Sequence, residues 1–221
     1  MTDHSGSEFK FDSYSELELI ECGDRFLESC AKVWQMIGSE AWTEHVLTWF
    51  RRAAPEGIRV DARRDRATAP NARDTLGEWL VDLVHTSYPR GDGSNYWQTE
   101  MRPGDDRAWS IQLALESEWG KSGAHASTFE MVLYDASKLT ALRAAVKVLV
   151  SSVTSSKPRA EAKQAQDATL EDAIVILRRR TRDTAPWLWI NLPNEATPVR
   201  CRYVMFGNRL GTYRSEEAAK P

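Results

Sequence analysis

Two short runs in the middle of the chain, strand-like in period and each broken by carboxylates, restrict the fold more than any other feature. Across residues 79–86, Trp79, Val81 and Leu83 alternate with Leu80, Asp82 and Val84. Both alternating sets are apolar except for Asp82, the pattern of a strand covered on both faces. Across residues 109–119, Ile111, Leu113 and Leu115 fall on one face of a second strand, and Gln112, Ala114, Glu116 and Glu118 on the other. A strand buried on both faces has to lie between two layers of other structure, so an α/β arrangement is expected: a mixed central sheet flanked by helices.

The flanking segments supply those layers. Leu17, Ile20, Leu27, Cys30, Val33, Trp34 and Ile37 recur at helical spacing, with Ser13 or Ser15 placed to cap the start. Trp42, His45, Val46, Trp49 and Phe50 recur similarly over residues 40–54, before Pro55 and Gly57 end the pattern. These two segments predict an N-terminal helical pair. Residues 57–62 read as a short strand and 96–101 as an edge strand. Residues 129–144 carry a helix over at least 136–144, 146–153 a β-branched strand, and 154–182 a helix with the amphipathic segment 170–177 and a basic end. Residues 187–192 and 200–206 read as two final strands. Residues 1–13 are polar and acidic and are expected to form a flexible lead-in, 14–212 a single domain, and 213–221 a flexible tail.

Composition narrows the setting. A chain of 221 residues with 42% hydrophobic content can bury one substantial core. No apolar run approaches the roughly 20 residues that a bilayer crossing needs, so no membrane partner is expected. The first residues lack the apolar stretch of a secretory signal, which points to a cytoplasmic protein. Cys22, Cys30 and Cys201 lack the close spacing of a zinc ligand set and are expected to be buried, reduced thiols. A net charge of -3 argues against a protein that coats nucleic acid by bulk charge, so any such contact has to be local. Arg51, Arg52, Arg59, Arg63, Arg64, Arg66 and Arg73 crowd into one stretch, which suits either a phosphate-facing side or a solvated surface.

The carboxylates carry the chemistry. Glu116 and Glu118 project from one face of their strand, and two acids side by side repel unless solvent, a base or a cation compensates. If the Asp82 strand lies alongside, three carboxylates converge in an oxygen cluster of the kind hard divalent ions prefer, with Glu78 as an outer ligand. A solvated acidic face paired with arginines would leave the same trace in the sequence. The histidines, His4, His45, His85 and His125, have no metal-site spacing, and only His85 lies near the acids in sequence. No glycine-rich phosphate loop is present.

The order Glu78-Trp79-Leu80-Val81-Asp82, an interval, Leu113-Ala114-Leu115-Glu116-Ser117-Glu118, then a helix and a β-branched strand resembles the PD-(D/E)XK nuclease superfamily, which includes many restriction endonucleases. The resemblance covers residues 77–153 and implies a restriction endonuclease-like fold. Position by position, Asp82 matches the first metal-binding acid, Glu116 the second, and Glu118 the place usually held by lysine. A glutamate there cannot act as a cation, though it can serve as a general base or hold a second ion. Lys138, in Asp135-Ala136-Ser137-Lys138-Leu139 on the next helix, is the candidate for supplying the displaced charge. The resemblance further implies Mg2+ or Mn2+ as cofactor, phosphodiester hydrolysis on nucleic acid, with DNA as the first expectation, and a bacterial restriction or defence setting. Arg59, Arg63, Arg64 and Arg66 become candidate nucleic-acid contacts, and a homodimer or partner protein the source of target choice. The alternative is a catalytically inactive subunit of the same fold that binds nucleic acid or assembles with protein.

Overall fold

The computed structural model describes residues 9–33, 39–62, 81–87, 110–118, 125–151, 160–192, 202–206 and 212–214. Helices α1 (Glu16–Val33) and α2 (Ser39–Arg52) come first, followed by β1 (Arg59–Ala62), β2 (Leu83–Ser87) and β3 (Ser110–Glu118). Helix α3 (His125–Ala141), β4 (Ala144–Ser151), α4 (Ala160–Thr181), β5 (Trp187–Asn191), β6 (Arg202–Phe206) and β7 (Thr212–Arg214) complete the order. The strands form one sheet in sequence order; β3–β4 and β4–β5 are parallel, and every other neighbouring pair is antiparallel. Each parallel pair is linked by a helix, as parallel neighbours require. The fold is therefore mixed α/β, as the pattern of the central strands predicts.

Alternation along the strands divides the core. Leu113, Leu115, Val146, Val148 and Val150 pack with Leu19, Phe26, Val46 and Phe50 of α1 and α2. Ala114, Leu149, Trp187 and Trp189 pack on the other face with Val132, Leu139, Leu170 and Ile174 of α3 and α4. Ser15 starts α1 with a capping box: Glu18 N–H donates to Ser15 Oγ at 3.3 Å, and Ser15 N–H returns a bond to Glu18 Oε2 at 2.8 Å. At the exit of α2, Gly57 adopts φ 82°, a left-handed turn that costs glycine little. Cys22 and Cys30 are buried free thiols, as expected, and Cys201 lies outside the described residues.

Several sequence expectations shift. Leu17 is 77% exposed, because the buried stripe of α1 is set by Leu19, Cys22, Phe26, Leu27 and Cys30. Residues 9–13 belong to the fold rather than to a flexible lead-in: Phe11 is buried, and its N–H donates to Ala53 O at 2.9 Å. Tyr213 and Arg214 pair with β6 and so are strand rather than loose tail. The α3 helix begins at His125, well before residue 136. Strand β2 starts at Leu83, which leaves Asp82 immediately before it. Ile111 joins Ala114 in the α3–α4 layer instead of sharing a face with Leu113. The cause is a register shift: His85 pairs with Leu113 but Thr86 with Ile111, so β3 carries an extra residue there. The edge strand expected over residues 96–101 lies outside the described residues.

His85 is close to the acids in sequence but faces the α1–α2 layer. Its Nε2 donates to Phe50 O at 2.9 Å, since a carbonyl can only accept, which leaves Nδ1 to accept from Tyr14 Oη–H at 2.9 Å. Burial pushes the His85 imidazolium down to about 4, against the pull of the Phe50 carbonyl. The buried ring is neutral and charges only on unfolding, so this group costs stability as pH falls from its ordinary 6.5 towards 4. In urea melts, wild type minus His85→Leu is expected to lose about 3 kcal/mol across that window. A difference that does not change with pH would contradict this reading of the ring.

Candidate active site

The acids meet at the carboxyl end of β3. Because β3 runs parallel to β4, Glu118 ends level with Ser151, the end of the sheet where open α/β folds gather their functional groups. Strand β2 enters antiparallel, and Asp82 N–H donates to Leu115 O at 3.1 Å, which extends the pairing one residue before the strand. That bond sets the Asp82 carboxylate beside the end of β3. There Asp82 Oδ2 accepts from Ser117 N–H at 3.0 Å and from Ser117 Oγ–H at 2.9 Å. Glu116, two residues beyond Ala114 on the α3–α4 side, is 1% exposed.

Helix α3 closes the site from above. Its buried stripe is Val132, Asp135, Ala136 and Leu139, so one acid stands among apolar neighbours at helical spacing. Lys138, one turn on, folds back over this acid: its Nζ lies 2.7 Å from Asp135 Oδ1 and also contacts Glu116 Oε1. The contact with Glu116 joins the helix to the sheet. The ammonium also lies 5.4 Å from the centre of the Tyr134 ring. Glu118 enters the cluster through a carboxyl–carboxyl hydrogen bond to Asp135.

The electrostatics follow from crowding. Burial, then the charges of Asp82 and Asp135, push the Glu116 carboxyl up to about 9 against the opposing pull of Lys138. Asp135 is also raised, first by burial and further by Asp82, while Lys138 and the Glu118 hydrogen bond oppose the shift. Burial works against the Lys138 charge, but Asp135 and Glu116 outweigh it and hold the ammonium above its ordinary range. One ammonium is thus shared by two buried acids, Glu116 and Asp135, with the Asp82 carboxylate close enough to raise both.

Of the residues singled out in the sequence, Asp82, Glu116, Glu118 and Lys138 are brought to this one place. Glu78, Arg63, Arg64 and Arg66 lie outside the described residues. Arg59 stands on the edge strand β1 and binds Asp61, with Nη2 2.9 Å from Oδ1. Among the described residues the partner of Glu116 is a lysine, and Glu116 is buried rather than on a solvated face. The expected three-oxygen cage is not formed: among the described residues no three His, Cys, Asp or Glu side chains are disposed to hold a metal ion. Asp82 is bonded by Ser117, while Glu116 and Asp135 share Lys138, and Asp135 also accepts from Glu118. Two participants were not foreseen. Asp135 has a legible signal, an acid on the apolar stripe of a helix; Ser117, on the opposite face of β3 from Glu116, has none.

A second buried pair lies on the same side of the sheet. Lys147 Nζ is 2.8 Å from Asp183 Oδ2, with the side chains 1% and 6% exposed. Asp183 also accepts from Trp187 Nε1 at 2.7 Å and from Ala185 N–H at 3.2 Å. Lys147 pairs in register with Ala114 and Trp187, so this ammonium sits two residues along from Glu116 but is turned away to the loop after α4.

No protein-family model matches the chain, and no curated protein or solved structure resembles it at a significant level. Function therefore has to be argued from the site.

Proposed function

We propose that the chain is a metal-dependent phosphodiester hydrolase acting on nucleic acid, most naturally a DNA endonuclease of restriction endonuclease-like fold. The observation that carries the reading is the convergence of Asp82, Glu116, Asp135 and Lys138 at the carboxyl end of β3, with one ammonium shared between two buried acids. The donor set suits Mg2+ or Mn2+. Such ions keep several waters and take one or two carboxylates together with substrate oxygens, so Asp82 and Glu116 suffice without an all-protein cage. When bound, the ion would lower the pKa of water and offset charge on the scissile phosphate.

The chain's own residues then have defined tasks. Ser117 fixes the rotamer of Asp82 through two bonds to Oδ2. Glu116 supplies the second oxygen donor. Lys138 brings, from the helix, the positive charge that Glu118 cannot provide, and can offset charge developing on phosphate. Glu118 is held beside Asp135 by a hydrogen bond in which Asp135 accepts and Glu118 carries the proton, so Glu118 must release that proton before it can act as a base. Strand β1 ends at Ala62 opposite Leu83, so the chain leaves it on the side of the sheet that carries Asp82; the arginine-rich stretch starts from there. Arg63, Arg64 and Arg66, which follow β1 in sequence, are proposed as nucleic-acid contacts on this ground, with Arg59 at the opposite end of the strand as a more distant contact, together with a homodimer or partner protein for target choice.

A second reading has an observation in its favour. Lys138 closes on Glu116 and Asp135 as an ion-paired cluster, which also suits a catalytically inactive subunit that binds nucleic acid or assembles with protein. Incubation with plasmid and single-stranded DNA in Mg2+ or Mn2+ separates the two. The enzyme is expected to cleave at least one substrate, with cleavage lost in EDTA and in Asp82→Ala; substrate left intact under both metals would favour the inactive subunit.

A further inference from the structure

Lys138 has two anionic partners, and only one of them, Glu116, is a proposed cation ligand. We propose that Asp135 is a positioning residue: it is the cradle that retains the Lys138 ammonium when a divalent cation takes over the Glu116 carboxylate. The inference rests on the metal-dependent reading above and assigns a role to an acid that reading does not need.

The geometry supports a shared rather than a fixed ammonium. Asp135 and Lys138 lie three residues apart on α3, so their contact at 2.7 Å is local and survives any change at the strand. The contact with Glu116 crosses from helix to sheet, so it depends on how α3 sits against β3. A divalent cation at Glu116 repels the ammonium and competes for the same oxygen. An ammonium with no second partner would have to stay on Glu116 or leave the site for solvent. With Asp135 present it moves only the breadth of the bridge. The Lys138 side chain is 17% exposed, which leaves room for that movement, and its ammonium lies over the Tyr134 ring. Asp135 is tied on its other side to Glu118, which keeps the cradle facing the site. Asp135 would thus lower the competition between Lys138 and the metal without touching the metal itself.

A double-mutant cycle on Mn2+ affinity tests this in the full-length protein, with titration calorimetry as the readout and thermal melts to confirm folding. Lys138→Met is expected to tighten Mn2+ binding, because the competing charge is gone. Asp135→Asn is expected to weaken it about tenfold, because Lys138 is left with Glu116 alone. The decisive result is the double variant. With no ammonium to cradle, Asp135→Asn should then cost no more than the few-fold change that follows loss of one nearby charge, and affinity should recover to that of Lys138→Met. If Asp135→Asn costs as much in the Lys138→Met background as in wild type, Asp135 is itself a ligand and the inference fails. If Lys138→Met, still folded, binds Mn2+ no tighter than wild type, no competition exists and the inference fails as well. Wild type that binds no Mn2+ overturns the metal-dependent reading and this inference with it, an outcome distinct from both others.

Discussion

Glu116→Gln is expected to abolish metal-dependent cleavage, by a factor on the order of 10³ or more, while leaving the protein at least as stable as wild type at pH 8. The two effects have one cause. Glu116 is buried beside Asp82 and Asp135, and its carboxyl is pushed up to about 9 even with Lys138 in contact. A group raised from 4.5 to about 9 prefers its neutral form when folded and its charged form when unfolded. Its contribution to stability is therefore fully present below pH 4.5 and is lost as pH rises through 9. Glutamine copies the neutral form, and Lys138 keeps Asp135 as a partner, so the variant should show a flatter stability profile between these limits. Wild type should lose a few kcal/mol over the same range, on the order of what several pKa units imply in a coupled site. Mg2+ should restore that loss in wild type and not in the variant. A site held only for stability behaves in the opposite way: breaking the Lys138–Glu116 pair would then lower the melting temperature at every pH.

Lys147→Ala is expected to cost about 3–5 kcal/mol, the range for removing one member of a buried ion pair. Asp183 would stay enclosed, still accepting from Trp187 Nε1 and Ala185 N–H and near Arg178 but without the ammonium in contact with it. For a chain of this size the loss corresponds to a fall in melting temperature of about 10 °C. The pair ties the middle strand of the sheet to the segment after α4, where Arg178 also bonds Ala185 O at 2.6 Å and lies against the Trp187 ring. Replacing both members, Lys147→Met with Asp183→Asn, should recover part of the loss, since no carboxylate is left without its ammonium and the amide oxygen can still accept from Trp187 Nε1. Thermal melts of the three variants check this; a single variant within about 1 kcal/mol of wild type would mean that the pair is relaxed by solvent.

The parts of this account that were legible in sequence are those governed by one period at a time. Alternation located β3 almost to its ends and put Glu116 and Glu118 on a common face. The apolar flanks of Asp82 identified it as an anomaly that needed a partner. Legibility failed where two elements set a position jointly. The phase of α1 is fixed by its contacts with α2 and the sheet, so Leu17 matched the pattern yet points outward. The extra residue in β3 opposite β2 moved Ile111 to the other layer, which no reading of β3 alone would reveal. Phe9 and Phe11 were hidden in a polar context although they stack into the aromatic cluster with Tyr14 and Trp49. At the site, the Asp82–Ser117 bonds depend on where β2 begins against β3, and the Lys147–Asp183 pair joins residues separated by an entire helix. Lys138 and Asp135 were within reach, because a helix repeats every 3.6 residues and both follow from the stripe of Val132, Ala136 and Leu139.

The central claim is that Asp82 and Glu116 hold one divalent cation beside Lys138. Anomalous diffraction from crystals soaked in Mn2+ measures this directly. The account requires a peak within bonding distance of both carboxylates, with the Lys138 ammonium withdrawn to Asp135. A site without such a peak, its lysine still bridging Glu116 and Asp135, would contradict it.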